Sequence, residues 1–396
     1  MAEHYSRRSF LAGAVTAGML SSAAGYLFTR REPITLTLAT GADSTGARAL
    51  LVNMWNELNP YAKIVPIEVN SSTRDQYEKF VEIKPDIFNL DIIHIPRFVE
   101  AERIVPVVPQ NDISLLAPVK QVCQKKGSSE ELWAVPFNAD VGMLYRRVTD
   151  KRTAGPEPIL KDVLAESPAQ LVGQLDSVGS QTDEAFVVNV LEHALAQDDA
   201  VLNEEGVISF SLGQWRAALA PLADAIQRRN LRTEAGEDDT TRTFQRQDLR
   251  YMRNWPVTFP AVDRAERSEV GTAEIRLGRL PVGILGGQSL AVAADCKNRE
   301  EAERAIRFLT DAPAQKLLAG SGFAPTGLDA YIDPGAQAST PQLNVIRYAV
   351  EASRPRPIHR NYADFASRFK DHTYAYLYGR EQLTQRFIQD IQEVLQ

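Results

Sequence analysis

The sequence contains few residues that could build a metal or redox centre. Its 396 residues include two cysteines, Cys123 and Cys296, and neither belongs to a CxxC pair. Two separated thiols cannot form a zinc site by themselves, and we favour two unpaired, buried side chains, because a chain of this length needs no cross-link to fold. One disulfide between them is the alternative. The five histidines show no metal-binding spacing, so no metal or cofactor is indicated.

Basic residues and catalytic motifs are also lacking. Lys and Arg number 44 against 51 Asp and Glu, which gives a net charge of -7. Nucleic acid is not expected as the main partner, because phosphate binding requires clustered cations. The sequence contains no nucleophile elbow, phosphate-binding loop, HExxH helix or dinucleotide-binding glycine pattern. An enzyme is therefore not the first expectation, although two glycosidase-type carboxylates can be paired in space without any sequence spacing.

Residues 1–32 are predicted to be an export signal or a membrane anchor. Residues 7–11 (RRSFL) match the twin-arginine export pattern, and residues 22–24 (SAA) are small enough for cleavage. Residues 10–28 carry no charge. A run of this length is near the minimum that spans a bilayer, so an uncleaved anchor is the alternative. In either case we expect an extracytoplasmic protein, at the cell surface or in the periplasm.

The region after residue 32 alternates strand and helix patterns. A chain of 396 residues is too long for one compact core, so two domains are expected. Residues 34–40, 62–69 and 90–95 are predicted as strands, and residues 47–59 and 73–83 as helices. This order predicts an α/β fold with a parallel sheet and right-handed crossovers.

Two loops of this sheet are candidates for a binding site. Ligands of open parallel sheets bind beyond the carboxyl ends of the strands. Asp43 and Ser44 follow the first predicted strand, and residues 94–97 overlap and follow the end of the third. We expect both loops at the same rim.

Helical patterns dominate the rest of the chain. They cover residues 183–197, 212–229, 298–310 and 364–396, and a strand pattern covers residues 289–294. The chain shows no internal repeat and no low-complexity tract.

Five separated segments stand out along the chain: Asn89–Phe98 (NLDIIHIPRF), Trp133–Arg146 (WAVPFNADVGMLYR), Arg253–Pro256 (RNWP), Leu285–Val292 (LGGQSLAV) and Arg354–Tyr362 (RPRPIHRNY). They resemble segments of the extracellular solute-binding proteins of ABC importers, in their carbohydrate-binding group. The resemblance extends from about residue 34 to the end of the chain. It depends on the order and spacing of the segments rather than on any single motif.

The resemblance implies two discontinuous α/β lobes that are joined by hinge strands, as in periplasmic binding proteins. The first lobe is predicted to contain residues 33–138 and 256–325, and the second residues 139–255 and 326–396. Such lobes close on a ligand about their hinge. The implied partners are a small-molecule ligand, in this group a sugar, and the permease subunits of an ABC transporter, with the receptor itself a monomer.

A sugar site needs groups for vicinal hydroxyls and for an apolar C–H face. Planar polar side chains bind the hydroxyls and an aromatic ring stacks on the face. The predicted ligand-binding residues are Asp43, Ser44, Asp91, Asn138, Asp140, Glu184, Trp255, Gly287, Gln288 and Arg356. Several have structural alternatives: Asp91 could cap a helix, Trp255 could belong to the core, and Arg356 could hold the C-terminal part of the chain.

Two departures from the family pattern leave other functions open. Gln288 stands where the receptors usually carry tryptophan, and the segment around Glu184 keeps the family pattern only in part. One alternative is therefore a degenerate binding protein that acts as a sensor. The other is an exported glycoside-processing enzyme on a similar scaffold.

Overall fold

The structure, a computed structural model, describes residues 33–69, 73–109, 114–149, 160–176, 183–247, 249–268 and 273–396. The predicted export segment, residues 1–32, lies outside them. None of the helices formed by the described residues has both the length and the apolar character that a membrane span requires.

The described chain alternates strands with helices through most of its length. The strands are β1 (Ile34–Gly41), β2 (Ala62–Val69), β3 (Ile87–Asp91), β4 (Ile104–Val105), β5 (Val135–Asp140), β6 (Met143–Val148), β7 (Leu171–Gln174), β8 (Leu231–Glu234), β9 (Tyr251–Asn254), β10 (Glu274–Arg279), β11 (Ile284–Ala293) and β12 (Arg354–Pro355). The helices are α1 (Ala47–Leu58), α2 (Thr73–Ile83), α3 (Ile95–Glu100), α4 (Ala117–Cys123), α5 (Leu160–Ala165), α6 (Asp183–Leu195), α7 (Leu212–Gln227), α8 (Glu237–Arg246), α9 (Phe259–Ser268), α10 (Arg299–Thr310), α11 (Ala312–Gly320), α12 (Leu328–Ile332), α13 (Pro334–Ser339), α14 (Leu343–Glu351), α15 (Tyr362–Leu377) and α16 (Gln385–Val394). Short 3-10 helices cover Ile92–His94, Asp199–Val201 and Pro256–Thr258.

The strands form two sheets. In the first, the order is β12-β11-β3-β1-β2, and β4 and β5 also pair with β11. β1 runs parallel to β2 and β3, whereas β11 is antiparallel to β3. In the second, the order is β10-β6-β9-β7-β8, with β7 parallel to both β8 and β9. The predicted parallel strands are thus present, and antiparallel strands extend each sheet.

The chain passes between the two sheets three times. Val141–Gly142 connects β5 to β6, and residues 280–283 connect β10 to β11. Residues 356–361 lead from β12 to α15, which packs on α6 and α7 beside the second sheet. The predicted two-lobed α/β fold, with discontinuous lobes joined by crossing segments, is confirmed.

The crossings lie at different positions from those that the sequence predicts. β10 pairs with β6 in the second sheet, although the predicted division places residues 256–325 in the first lobe. α12 and α13 pack on α11 of the first lobe, although residues 326–396 are predicted in the second. A local pattern identifies a strand but not its distant partner, so these assignments could not be read from periodicity. We propose lobes of residues 33–140 with 284–355 and of residues 143–279 with 356–396.

The strand predicted at residues 90–95 is wrong in its extent. β3 ends at Asp91, and the following 3-10 helix leads into α3 with Pro96 in its first turn. The Asp91 carboxylate accepts a hydrogen bond from the Ile93 backbone N–H at 3.2 Å, which caps this turn. Proline is tolerated in a first helical turn, so Pro96 does not stop the segment.

Apolar side chains pack between the sheets and their helices. In the second lobe, the buried Trp215 ring lies edge-on to Phe369 and Phe387, with ring centroids 5.5 and 5.8 Å away. The two cysteines are both free, as the favoured expectation has it, but only Cys123 is buried, and Cys296 is partly exposed. Cys123 is buried with its sulfur 3.3 Å from the Ser289 hydroxyl, and burial raises the pKa of its thiol to about 12.

Gly142, at the first crossing, should not tolerate a side chain. A Cβ there would lie 2.2 Å from Oε1 of Glu192 and 2.7 Å from Nη2 of Arg253, two buried charged groups. We expect Gly142→Ala to lower the free energy of unfolding by about 2 kcal/mol or more, because the buried ion pair would have to shift. Chemical denaturation of the purified protein measures this.

The matched control is Gly213→Ala in α7, where a Cβ would meet no heavy atom within 4 Å. Its stability should stay unchanged or rise by up to about 1 kcal/mol, since alanine favours a helix over glycine. Equal effects of the two substitutions would contradict the packing described at Gly142.

Candidate functional site

A cleft between the two lobes contains six of the ten predicted ligand-binding residues. It encloses about 610 Å³ of empty space, including its opening to solvent. The lining residues are Asp91, Asp140, Glu184, Ala185, Val188, Glu237, Trp255, Ile284, Leu285, Gly286, Gly287 and Arg356. The carboxyl ends of β3, β5 and β9 and the first turns of α6 and α8 meet here. The cleft thus lies where ligands of α/β sheets bind.

Arg356 connects the two lobes at this cleft. Its Nη2 donates a hydrogen bond to Oδ1 of Asp91 at 2.9 Å, and its Nη1 donates to Oε1 of Glu184. Asp91 ends a strand of the first sheet, whereas Glu184 lies in the first turn of α6 in the second lobe. Arg356 is only 4% exposed. One buried guanidinium therefore links a carboxylate of each lobe.

The charges around Arg356 stabilise its ionised form. Burial lowers the pKa of Arg356, but the carboxylates of Asp91 and Glu184 raise it more, so the net direction is upward. Burial raises the pKa of Glu184, and Arg356 opposes this shift. The Tyr362 hydroxyl also donates to Oε1 of Glu184, at 2.8 Å. The Glu184 carboxylate is thus held from two sides.

The Trp255 ring is positioned by polar contacts on two sides. Its Nε1 donates a hydrogen bond to Oε1 of Glu237 at 3.0 Å. The Arg253 guanidinium carbon lies 3.8 Å from the ring centroid, a favourable cation–π geometry. Trp255 lines the cleft and is only partly buried. The ring is therefore fixed in place while part of it remains accessible from the cleft.

Arg253 is itself held by a buried ion pair. Its Nε donates to Oε2 of Glu192 at 2.7 Å, with the two side chains 1% and 0% exposed. Its Nη1 donates to Oε1 of Gln174 at 3.2 Å. Removing one member of such a pair would leave an uncompensated buried charge, which is strongly unfavourable. The Trp255 support thus extends into the core of the second lobe.

Asp140 is the most perturbed carboxyl group of the cleft. Burial raises its pKa, the Arg253 charge opposes this, and the neighbouring carboxylates of Glu237 and Asp91 raise it further, so that the pKa is about 7. Its one hydrogen-bond donor among the described residues is the Val141 backbone N–H, at 3.1 Å. Strongly perturbed groups in clefts are candidates for functional residues.

Gly287 allows two backbones to approach closely at the cleft wall. Its φ is +125°, a conformation that other residues rarely adopt. A Cβ at this position would lie 2.2 Å from the carbonyl oxygen of Asn138 in the paired strand. Glycine is therefore required where β11 passes β5, and Gly287 contributes backbone rather than a side chain to the cleft.

Asp43 and Ser44 do not line this cleft. The Asp43 carboxylate accepts hydrogen bonds from the Arg48 backbone N–H at 2.9 Å and from the Thr45 hydroxyl at 2.6 Å. Burial acts to raise the pKa of Asp43, but these hydrogen bonds lower it overall. Asp43 thus stabilises the start of α1. Its position after a strand is equally typical of a ligand-binding residue, so the sequence alone could not distinguish the two roles. Ser44 is exposed.

Asn138 and Gln288 also lie outside the lining of the cleft. Oε1 of Gln288 accepts hydrogen bonds from Arg48 and Asn89, each at 2.9 Å. Gln288 therefore belongs to a polar network within the first lobe. Asn138 is buried, and its Oδ1 has no hydrogen-bond partner among the described residues.

Glu237 is a residue of the cleft that the sequence reasoning missed. It is the first residue of α8, which follows the parallel strand β8. The rule that places ligands at the carboxyl ends of strands would have indicated it, had it been applied to the second lobe. Among the described residues, no group of three or more His, Cys, Asp or Glu is arranged to hold a metal ion.

Comparison with curated proteins gives a short match. No family model matches the chain. A probable ABC transporter-binding protein of Deinococcus radiodurans is 32% identical over 115 residues, which is 28% of this chain. The match spans 27% of that relative's length, so it covers only a part of each protein.

Comparison with solved structures covers nearly the whole chain. Maltose-bound MalE3 of T. maritima is similar with a TM-score of 0.76 and 22% identity, over 91% of this chain and 99% of that chain. The GacH receptor of Streptomyces glaucescens gives a TM-score of 0.75 and 15% identity, over 92% and 97%. The sugar-binding protein MalE of Xanthomonas citri gives 0.74 and 17%, over 91% and 97%.

This chain has the two-lobed periplasmic-binding-protein fold. At these identities the similarity establishes the fold, while the site rests on the residues described above. The structures that the chain resembles are binding proteins. In that fold the cleft between the lobes is the natural place for a ligand.

The Asp140 carboxyl group should destabilise the folded protein at neutral and alkaline pH. Its pKa of about 7 in the folded protein lies above the ordinary 3.8, so the folded state binds more protons between these values and stability falls as the pH rises. We expect Asp140→Asn to raise the free energy of unfolding by on the order of 1–4 kcal/mol at pH 8 and by little at pH 4.

Thermal unfolding curves at several pH values test this. Asp238→Asn, which removes an exposed carboxylate, is the control and should show no such pH-dependent gain. A gain for Asp140→Asn that is the same at pH 4 and pH 8 would contradict the raised pKa.

Proposed function

We propose that this protein is an extracytoplasmic solute-binding receptor of an ABC importer. It captures a small carbohydrate, a di- or oligosaccharide, between its lobes and delivers it to a membrane permease. The observation that carries the proposal is the cleft itself, in which carboxylates from both lobes, an arginine and a tryptophan line one cavity. The proposal assigns binding rather than catalysis to these groups.

The chemistry of the cleft suits a sugar. Hydroxyl groups both donate and accept hydrogen bonds, so they can pair with carboxylates and with the Arg356 guanidinium. The Trp255 ring offers a surface for the C–H face of a pyranose. Charged acceptors, a charged donor and one aromatic surface are therefore present in one cavity.

The structurally similar proteins support the receptor class. One was solved with maltose bound, and another in complex with acarbose. The short match to a probable ABC transporter-binding protein points in the same direction. In our proposal the ligand-binding residues are the cleft residues Asp91, Asp140, Glu184, Glu237, Trp255, Gly287 and Arg356.

Closure of the lobes would be the signal to the permease. The three crossings at 141–142, 280–283 and 356–361 provide the hinge. Arg356 lies at the third crossing and contacts both lobes, so a ligand that binds beside it can alter their relative position. Ligand binding and lobe movement are thereby coupled through the same side chain.

Ligand binding should depend on the Trp255 ring. A panel of maltose, longer maltodextrins and other oligosaccharides is first screened by thermal shift with the purified protein. For the sugar that raises the melting temperature most, titration calorimetry should show about a tenfold to hundredfold weaker affinity for Trp255→Ala, because the stacking surface is lost. Trp255→Phe keeps a ring and should lose less.

Tyr61→Ala is the control for this series, since Tyr61 is 55% exposed and does not line the cleft. It should bind like the unmodified protein. Unchanged affinity of Trp255→Ala would remove Trp255 from the site. Failure of every carbohydrate to bind, together with clear binding of another solute, would contradict the sugar, and turnover of a glycoside would contradict the receptor.

A further inference from the structure

The cleft carries an excess of acidic groups. Four carboxylates and one guanidinium line it. The single charge of Arg356 lies between Asp91 and Glu184. Asp140 and Glu237 have no salt bridge of their own among the described residues, since the nearby Arg253 is paired with Glu192. The two carboxylates beside Trp255 therefore face the cavity without a salt bridge, although the Arg253 charge acts on Asp140 and opposes the rise of its pKa.

A second, independent feature indicates what else the ligand must carry. Nε of Arg356 is buried and has no hydrogen-bond partner among the described residues, on a side chain that lines the cleft and is 4% exposed. A buried donor without a partner is costly. Nε is closed to solvent in this conformation, so an acceptor from the ligand could complete it only after the lobes move. A hydroxyl or ring oxygen is such an acceptor, and an alkyl ammonium is not.

We infer that the ligand of this cleft is a sugar or related polyol that carries a protonated amino group, with its ammonium near Asp140 and Glu237 and its oxygens near Arg356. The inference rests on the proposed receptor function and adds the charge of the ligand to it. Nε1 of Trp255 donates a hydrogen bond to Glu237, and the ring lines the cleft, where it can contact C–H groups of the ligand.

The electrostatics of closure favour a cation over a neutral sugar. Closing the lobes on a neutral ligand would desolvate Asp140 and Glu237 together, and two nearby carboxylates in a water-poor cavity repel each other. An ammonium provides the missing opposite charge and hydrogen-bond donors for both. Burial is the main cause of the raised pKa of Asp140, the Arg253 charge opposes the shift, and the carboxylates of Glu237 and Asp91 raise the pKa further.

The test compares a charged disaccharide with two neutral ones of the same linkage. A disaccharide of two β-1,4-linked glucosamine units, its N-acetylated form and cellobiose share one linkage and ring shape. They differ at C2, where the group is an ammonium, an amide or a hydroxyl, and the linear polyamine spermidine supplies ammonium groups without a sugar. Titration calorimetry near pH 7 should give the glucosamine disaccharide an affinity at least about tenfold higher than either neutral disaccharide, as expected for a charged hydrogen bond.

Three variants locate the effect. Asp140→Asn and Glu237→Gln keep the shape of each side chain and remove its charge, and each should weaken binding of the glucosamine disaccharide about tenfold. Glu237→Gln also keeps an acceptor for Trp255. Asp238→Asn removes an exposed charge from the same turn of α8 and should leave the affinity unchanged. Circular dichroism verifies that each variant is folded.

The possible results separate this inference from the receptor function. Equal or tighter binding of a neutral disaccharide overturns the charged ligand and leaves the receptor standing. Spermidine binding more tightly than the glucosamine disaccharide overturns the sugar component of the inference. If both charge-removing variants bind the glucosamine disaccharide as tightly as the unmodified protein does, the assignment of the ammonium to Asp140 and Glu237 is overturned. If neither a probe nor any sugar of the wider panel binds, the result counts against the receptor function itself.

Discussion

The interaction on which the cleft depends is the double hydrogen bond of Arg356. This guanidinium is buried at the third crossing and reaches Asp91 of the first lobe and Glu184 of the second. A buried charge without partners would cost several kcal/mol, so these three groups must stay together whenever the site is dry. Charge pairing thus contributes to the spacing of the lobes at the cleft, together with apolar packing that continues from one lobe to the other.

The second buried ion pair, Arg253 with Glu192, lies in the second lobe and supports one wall of the same cleft. It holds a cation against the Trp255 ring, and its position requires a glycine at residue 142, beside the first crossing. An apolar core of equal volume would be at least as stable as a buried ion pair. We therefore interpret the pair as a support that positions Trp255. An apolar side chain could also contact the Trp255 ring, but it would not hold the ring by a cation–π interaction.

Local patterns in the sequence predict β1, α1, β2 and α2 well, because alternation and helical spacing depend on neighbours in the chain. The resemblance to binding proteins adds Glu184, Trp255 and Arg356, which no period would single out. The lobe of β10 and the orientation of Gln288 could not be predicted. Strand partners are distant in sequence, and the Gln288 side chain is bound by Arg48 and Asn89, which are more than a hundred residues away.

Glu237 and Asp140, two carboxylates of the cleft, have different backbone surroundings. Glu237 begins a helix, where the aligned peptide dipoles favour negative charge, and it also accepts the Trp255 N–H. Asp140 ends a strand and receives one backbone N–H, so burial dominates its pKa. A site that needed only neutral hydrogen bonds could have used amides at both positions without this electrostatic cost. In our proposal, this pair of acids binds a ligand that carries its own positive charge.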